Sequence, residues 1–289
     1  MSYNMQRKLI IVSFLLIPIV LLLMLLVYPT LKLLQMSFTD WDGLTSGFQY
    51  IGFDNYKELL QSEEVWVSLK NNATYFIIHL AFIPLEIVVA SVLVSKLRAA
   101  KFYKVIVFMP YIINGVAVAY MFAFFFSPDG SMNQVLHLFG LDRLSQSWLS
   151  DTHVVNFTLV FISLWKYSGL HIILFIAAMQ SIPADYYEAA TIDGASRFQQ
   201  LRHITVPGIK TVIELILFLN VRGALQVFDI PFLVTNGGPG YDSSTFMVYT
   251  IKTAFQYNHF GLAAAMAVTL MILIGIVSFV QSKLITIKG

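Results

Sequence analysis

The sequence predicts an all-α integral membrane protein of about six transmembrane helices, with a cytoplasmic helix–turn–helix between the fourth and fifth. Three observations predict it. Hydrophobic residues make up 57% of the 289 and charged residues only 12%, where soluble domains average about 25% charged. Mean hydropathy is +0.73. Stretches long enough to cross a hydrocarbon layer of roughly 30 Å, which takes about 20 apolar residues, recur along the chain. The apolar excess must face something other than water, and a lipid bilayer is that surface.

The first span is Leu9–Pro29. Its apolar run continues to Val27, longer than the roughly 7–15 residues of a signal-peptide core, and no small-x-small cleavage site follows, so it reads as uncleaved. The next five are Asn72–Ser95, Val105–Phe126, Val155–Ala178, Ile209–Val234 and Leu262–Leu284. The chain then divides into an N-terminal span with its first external loop (1–71), a core transmembrane domain (72–284) that contains a loop at 180–210, and a tail (285–289).

Orientation follows from lysine and arginine, which stay on the cytoplasmic side. With the N-terminus inside, that side collects Arg7, Lys8, Lys96, Arg98, Lys101, Lys104, Arg197, Arg202, Lys210, Lys283 and Lys288. The outer loops collect acids, among them Asp40, Asp42, Asp54, Glu58, Glu63, Glu64, Asp129, Asp142, Asp151 and Asp242. Both termini are expected in the cytoplasm of a bacterial-type cell.

Several functions are excluded. A net charge of +2 gives no reason to expect nucleic acid. With no cysteine there are no disulfides, iron–sulfur clusters or thiolate metal sites. The histidines (79, 137, 153, 171, 203 and 259) show no metal-ligand spacing, and none is assigned to a metal. No G-x-x-x-x-G-K-[ST] loop is present to cradle nucleotide phosphates.

The loop at 180–210 is polar but patterned. Pro183 suits a first helical turn, where its missing N–H costs little. Asp185 and Glu188 follow near the helix N-terminus, where carboxylates are favoured. Helix-compatible residues run to Asp193, and Gly194 permits the positive φ of a sharp stop. A second helical piece over 196–203 carries Arg197 and Arg202, and Pro207 precedes span five. On this physics alone the segment is an amphipathic connector.

Its residues are more particular than that. Glu188-Ala189-Ala190, Asp193-Gly194-Ala195 and Ile204-Thr205-Val206-Pro207 resemble the EAA loop of ABC importer permeases, with Val206 where leucine is commoner. The resemblance extends to Thr235-Asn236-Gly237-Gly238-Pro239-Gly240 with Ser244-Thr245, as in the maltose-permease-like, carbohydrate-uptake branch. It also takes in Gly52-Phe53-Asp54-Asn55-Tyr56, Asn71-Asn72, Gly130 with Asn133, Gly140-Leu141, Trp148, and Phe260-Gly261-Leu262-Ala263-Ala264-Ala265. The chain is similar to the compact, six-span first-permease type.

The resemblance implies a transport subunit, not an enzyme. It would form a heterodimer with a homologous permease, above two ATPase subunits and below an extracytoplasmic solute-binding protein, for a sugar-like solute. No cofactor is expected in this chain; ATP and Mg would belong to the ATPase. Coupling would fall to Asp185, Tyr187, Glu188, Ala189, Ala190, Asp193, Gly194, Arg197 and Pro207. The solute path would fall to Ser163, Lys166, Tyr167, Asn220, Gly223 and Val227. Ser163, Lys166, Tyr167 and Leu170 follow helical spacing on one face. Lys166 has two readings, contact with an anionic solute or a structural pair with Asp229 or Glu86. Glu86 reads as structural, and Asn220 has interhelical bonding as its second reading. Rivals to the importer reading are an ion-coupled secondary transporter, built on Lys166, Arg222 and Asp229, a membrane enzyme, and a scaffold subunit. The loop argues against the first. The second would need an acid–base or metal constellation at the interface.

Overall fold

The computed structural model describes residues 3–45, 47–94 and 98–286. Ser95, the expected end of the second span, and Lys96 and Lys288 of the basic set lie outside the described residues. The described chain is helical, with one isolated bridge between Thr39 and Tyr50. In chain order the helices are α1 (Met5–Met36), α2 (Asp54–Gln61), α3 (Glu63–Val94), α4 (Ala100–Ile112), α5 (Gly115–Phe125) and α6 (Ser131–Leu138). They continue with α7 (Val155–Gln180), α8 (Ala184–Ile192), α9 (Arg197–Gln200), α10 (Lys210–Gln226), α11 (Asp229–Thr235), α12 (Phe246–Phe255) and α13 (Phe260–Thr286).

Among the described residues, α1, α3, α7, α13 and the run from Lys210 to Thr235 are each long and apolar enough to cross a bilayer. A sixth crossing exists if α4 and α5 are taken together. The third span differs from the single helix expected over Val105–Phe126, because α4 and α5 are bent by 95° at the break between them. Pro110 cannot donate to the helix ladder, Ile113 is extended (φ −64, ψ 135), and the Asn114 side chain caps α5 by accepting from Val116 N–H at 2.8 Å. The first crossing reaches Met36, beyond the expected Pro29. It contains a π-helical turn over Leu23–Val27, just before Pro29, which removes an N–H and crowds the carbonyl four residues back.

The chain packs as two units. One comprises the described residues up to Ser62 with Thr250–Leu273. Its framework is a set of polar tethers. Asn55 Nδ2 donates to the Ser37 and Thr39 carbonyls at 3.0 and 2.8 Å, and Tyr56 OH meets Ser37 Oγ at 2.7 Å. Gly261 N–H donates to Trp41 O at 2.9 Å, and any β-carbon on Gly261 would strike the Thr39 carbonyl. The G-F-D-N-Y and F-G-L segments are thus packing devices of this unit.

The second unit is Glu63–Tyr249 with the described residues from Ile274 on. It has two apolar cores. One gathers Tyr75, Val118, Phe122, Leu159, Ile162, Leu164, Ala224 and Ile230. The other gathers Ile83, Ile87, Ile172, Phe175, Ile176, Met179, Ile209 and Ile216. Along each of α3, α7 and α10 the residues of one core give way to those of the other, with His79, Lys166 and Asn220 at the crossovers. The helices approach closely where side chains vanish. A β-carbon on Gly169 of α7 would collide with the Val107 carbonyl of α4.

Asn71 and Asn72 hold the loop after α11. Asn71 Nδ2 donates to Ser244 O at 2.9 Å and Tyr241 O at 3.2 Å. Asn72 Nδ2 donates to Ala224 O at 2.5 Å while its Oδ1 accepts from Phe246 N–H at 2.8 Å. Two buried asparagines thereby bond backbone groups far from them in the chain.

Candidate functional site: an intramembrane cavity and a polar loop

Between the two cores lies a cavity of about 320 Å³, within the range of small-molecule sites. It is bounded by α3 (Tyr75, His79), Tyr111 of α4, α7 (Ser163, Tyr167, Leu170, His171), α10 (Leu219, Asn220, Gly223, Ala224, Gln226) and residues 227–230. Five of the six expected path residues meet there: Ser163, Tyr167, Asn220, Gly223 and Val227. The break between α10 and α11 falls in the cavity wall. Val227 is extended (φ −60, ψ 124), and its freed carbonyl accepts from Thr245 Oγ1 at 2.7 Å.

Lys166 does not line the cavity. It is buried, and its Nζ donates to the Ile113 carbonyl at 2.6 Å, where the α4–α5 break leaves that acceptor without a helical partner. It forms no ion pair with Asp229 or Glu86. Glu86 instead engages His171, whose Nδ1 lies 3.1 and 3.3 Å from the two carboxylate oxygens. His79 Nε2 meets Ser163 Oγ at 3.0 Å. These pairs join residues 85 and 84 positions apart, so no local spacing could have shown them. Asp229 lies against Gly115, whose β-carbon position is 3.2 Å from Asp229 Oδ2. The aromatic walls are Tyr111 and Tyr167, ring centroids 6.3 Å apart and edge-to-face, and Phe228, which stacks on Phe232 at 4.7 Å.

The second candidate region is the loop after α7. Pro183 takes the N-cap position of helix α8 and Asp193 its C-cap. Gly194 has φ +79. Ala195 N–H reaches Ala190 O at 2.8 Å and Gly194 N–H reaches Thr191 O at 3.1 Å, the paired bonds of a Schellman stop. Ser196 and Gln199 then form a reciprocal capping box that starts α9. Tyr187 OH meets Thr205 Oγ1 at 3.0 Å and Gln200 Nε2 meets Thr191 Oγ1 at 3.1 Å, closing the two arms on each other. Ile182, Leu201 and Val206 pack on the Ile83–Ile216 core, so the root of the loop is built into the spans. Asp185, Glu188, Ala189, Asp193, Gly194, Arg197 and Pro207 are exposed, while Tyr187 and Ala190 are half-buried. The loop also presents Ile192, 87% exposed, and Phe198, 68% exposed. Apolar side chains standing out of a polar loop suit a protein partner.

A mainly apolar cavity carrying a few hydrogen-bonding side chains, with a loop packed on the same helices, is the layout of a gated conduit. Residues 82–286 match the model of the family described as "Binding-protein-dependent transport system inner membrane component". The chain belongs to that family. It is 32% identical over 282 residues to the "Probable ABC transporter permease protein YurN" of Bacillus subtilis, covering 96% of each chain. It is 31% identical to the "Multiple sugar-binding transport system permease protein MsmF" of Streptococcus mutans, covering 94% of this chain and 93% of that one. A solved bacterial ABC transporter involved in import of the acidic polysaccharide alginate has a chain that superposes with TM-score 0.86 at 26% identity, covering 98% of this chain and 97% of that one.

This permease is therefore a multi-pass membrane transport component and not an enzyme; the ATPase of such systems is a separate subunit. Within it, sequence reasoning left His79, His171, Tyr111 and Phe228 without a role, because each faces the cavity only through tertiary packing. The permease also gives Lys166 a measurable role. Lys166→Met should orphan the Ile113 carbonyl and lower thermal stability by about 1–3 kcal/mol. Its effect on uptake of neutral and anionic solutes should be equal; a loss confined to anionic solutes would place the ammonium in the pathway instead.

Proposed function

We propose that this permease forms, with a homologous second permease, the translocation path of an ATP-driven importer for a sugar or sugar-like solute handed over by an extracytoplasmic binding protein. The cavity carries this reading: hydrogen-bonding side chains (Ser163, Asn220, Gln226) among aromatic walls (Tyr111, Tyr167, Phe228) fit the hydroxyls and C–H faces of a sugar. The names of similar proteins point the same way. Both termini and the loop after α7 lie in the cytoplasm. There α8, with Asp185, Tyr187, Glu188, Ala189, Ala190, Asp193, Gly194, Arg197 and Pro207, contacts one of two ATPase subunits, which hold ATP and Mg. Closure of the ATPase dimer pulls the loop, and through Ile182, Leu201 and Val206 the pull reaches the spans around the cavity. The spans act as a two-state element biased by nucleotide on one side and by the loaded binding protein on the other.

The test is gentle purification of the tagged chain from its native cell, followed by reconstitution. A second permease and an ATPase in fixed ratio, with ATP-dependent uptake, are expected. A lone chain that transports in liposomes without ATP would overturn the proposal. Within the assembled importer, Gly223→Leu should cut uptake by roughly ten-fold or more while basal ATP hydrolysis persists. No atom stands within 4 Å of the β-carbon position of Gly223, so the new side chain would occupy the cavity.

A further inference from the structure

We infer that one flank of α6 beds into the lipid surface, so that the segment after the third span is an interfacial helix. A turn of about 100° per residue sorts α6 and its C-cap Phe139 into three arcs. The first packs inward. Leu136 and Asn133 are buried and Met132 lies on the Tyr75–Ile230 core. Asn133 Nδ2 donates to the Pro128 and Gln146 carbonyls at 3.0 and 3.2 Å, and its Oδ1 accepts from Trp148 Nε1 at 2.8 Å. The second arc is polar: Gln134 donates to Asp129 O at 2.9 Å, and His137 engages Asp142. The third is apolar and stands outside the packing: Val135, Leu138 (84% exposed) and Phe139 (76% exposed), with Leu141 and Leu144 exposed just beyond. Phe139 and Met132 are neighbours around the axis, so packed and exposed arcs form one apolar surface, and the polar arc stands away from it.

The fold holds this surface out. Leu141 N–H reaches Leu136 O at 2.8 Å and Gly140, at φ +69, ends the helix. The position of α6 supplies the occupant. A β-carbon on Gly130 would strike the Phe124 and Phe125 carbonyls, so the start of α6 sits against the last turn of α5, where the third crossing ends. There α5 exposes Tyr120, Met121 and Phe124, the face a spanning helix turns to lipid. The exposed arc of α6 continues that face at the depth of the membrane boundary, where an amphipathic helix buries its apolar side and keeps its polar side wet. Aromatic rings such as Phe124, Tyr120 and Phe139 suit that level.

The test is spin labelling of the permease, purified with its partner subunits and placed in lipid nanodiscs. The chain has no cysteine, so a nitroxide goes on one introduced cysteine at a time, and the unsubstituted permease records any label on the other subunits. Collisions with lipid-soluble oxygen are compared with collisions with a water-soluble nickel chelate. The oxygen-to-nickel ratio at Leu138→Cys should exceed that at Gln134→Cys, on the polar arc, by at least about five-fold. Val135→Cys should repeat the Leu138→Cys result, which guards against a local disturbance at either site. Equal ratios on the two arcs would mean that the apolar arc faces water. Labels at 135 and 138 shut off from both reagents would put a protein, not lipid, against it. Either result would overturn the inference.

Discussion

Gly194→Pro is expected to leave ATP hydrolysis running while uptake falls by about a hundred-fold or more. Gly194 sits at φ +79, and proline is locked near φ −65. The turn from α8 to α9 cannot form with that ring. The Gly194 N–H bond to Thr191 O disappears outright, and the companion bond from Ala195 N–H to Ala190 O loses its geometry. Two lost bonds at about 1 kcal/mol each, plus backbone strain of at least about 2, make the native turn a minority state. Each 1.4 kcal/mol is about a tenfold loss of coupled complexes. The chain should still reach the membrane, because the turn is exposed and both cores are untouched. Gly194→Ala tolerates the left-handed conformation at about 1–2 kcal/mol and should lose uptake only several-fold. Uptake and ATPase rates measured in the same proteoliposomes decide the matter. Normal uptake by Gly194→Pro at normal expression would remove α8 from the coupling path.

Gly169→Val should produce the second large effect, on assembly of the permease. Helix α7 crosses α4 where a β-carbon on Gly169 would collide with the Val107 carbonyl, a backbone atom that cannot swing aside. Separating the helices disturbs the Lys166 bond to Ile113 and draws Tyr111 away from Tyr167. A cost of about 2–4 kcal/mol is expected from such overpacking, which appears as a lower melting temperature and a smaller monodisperse fraction in detergent. Gly169→Ala should show a smaller loss in the same direction. Wild-type stability for Gly169→Val would mean that the two helices are not in contact there.

Much of the fold was legible in the sequence for a simple reason. A bilayer demands about 20 apolar residues in a row, and that demand is local. The stop at Gly194 was legible too, since few residues other than glycine take φ +79 at a helix end. Where local reasoning stopped, backbone satisfaction took over. The third span reads as one apolar run, yet Pro110, an extended Ile113 and an Asn114 cap break it.

The sequence by itself determined a multi-span membrane protein, its family and the turn of its loop, because each rests on residues adjacent in the chain. Only the tertiary structure decided which side chains share the cavity. Lys166 lies about 60° around α7 from Ser163, whereas Tyr167, Leu170 and His171 fall within about 80° on its other flank or near it. Helical spacing groups all of them on a broad face; the position of the α4–α5 break decides that Lys166 turns to a freed carbonyl and the rest to the cavity. The pairing of Glu86 with His171 and of His79 with Ser163 was likewise beyond the sequence, since a contact between distant residues exists only once the helices that carry them pack.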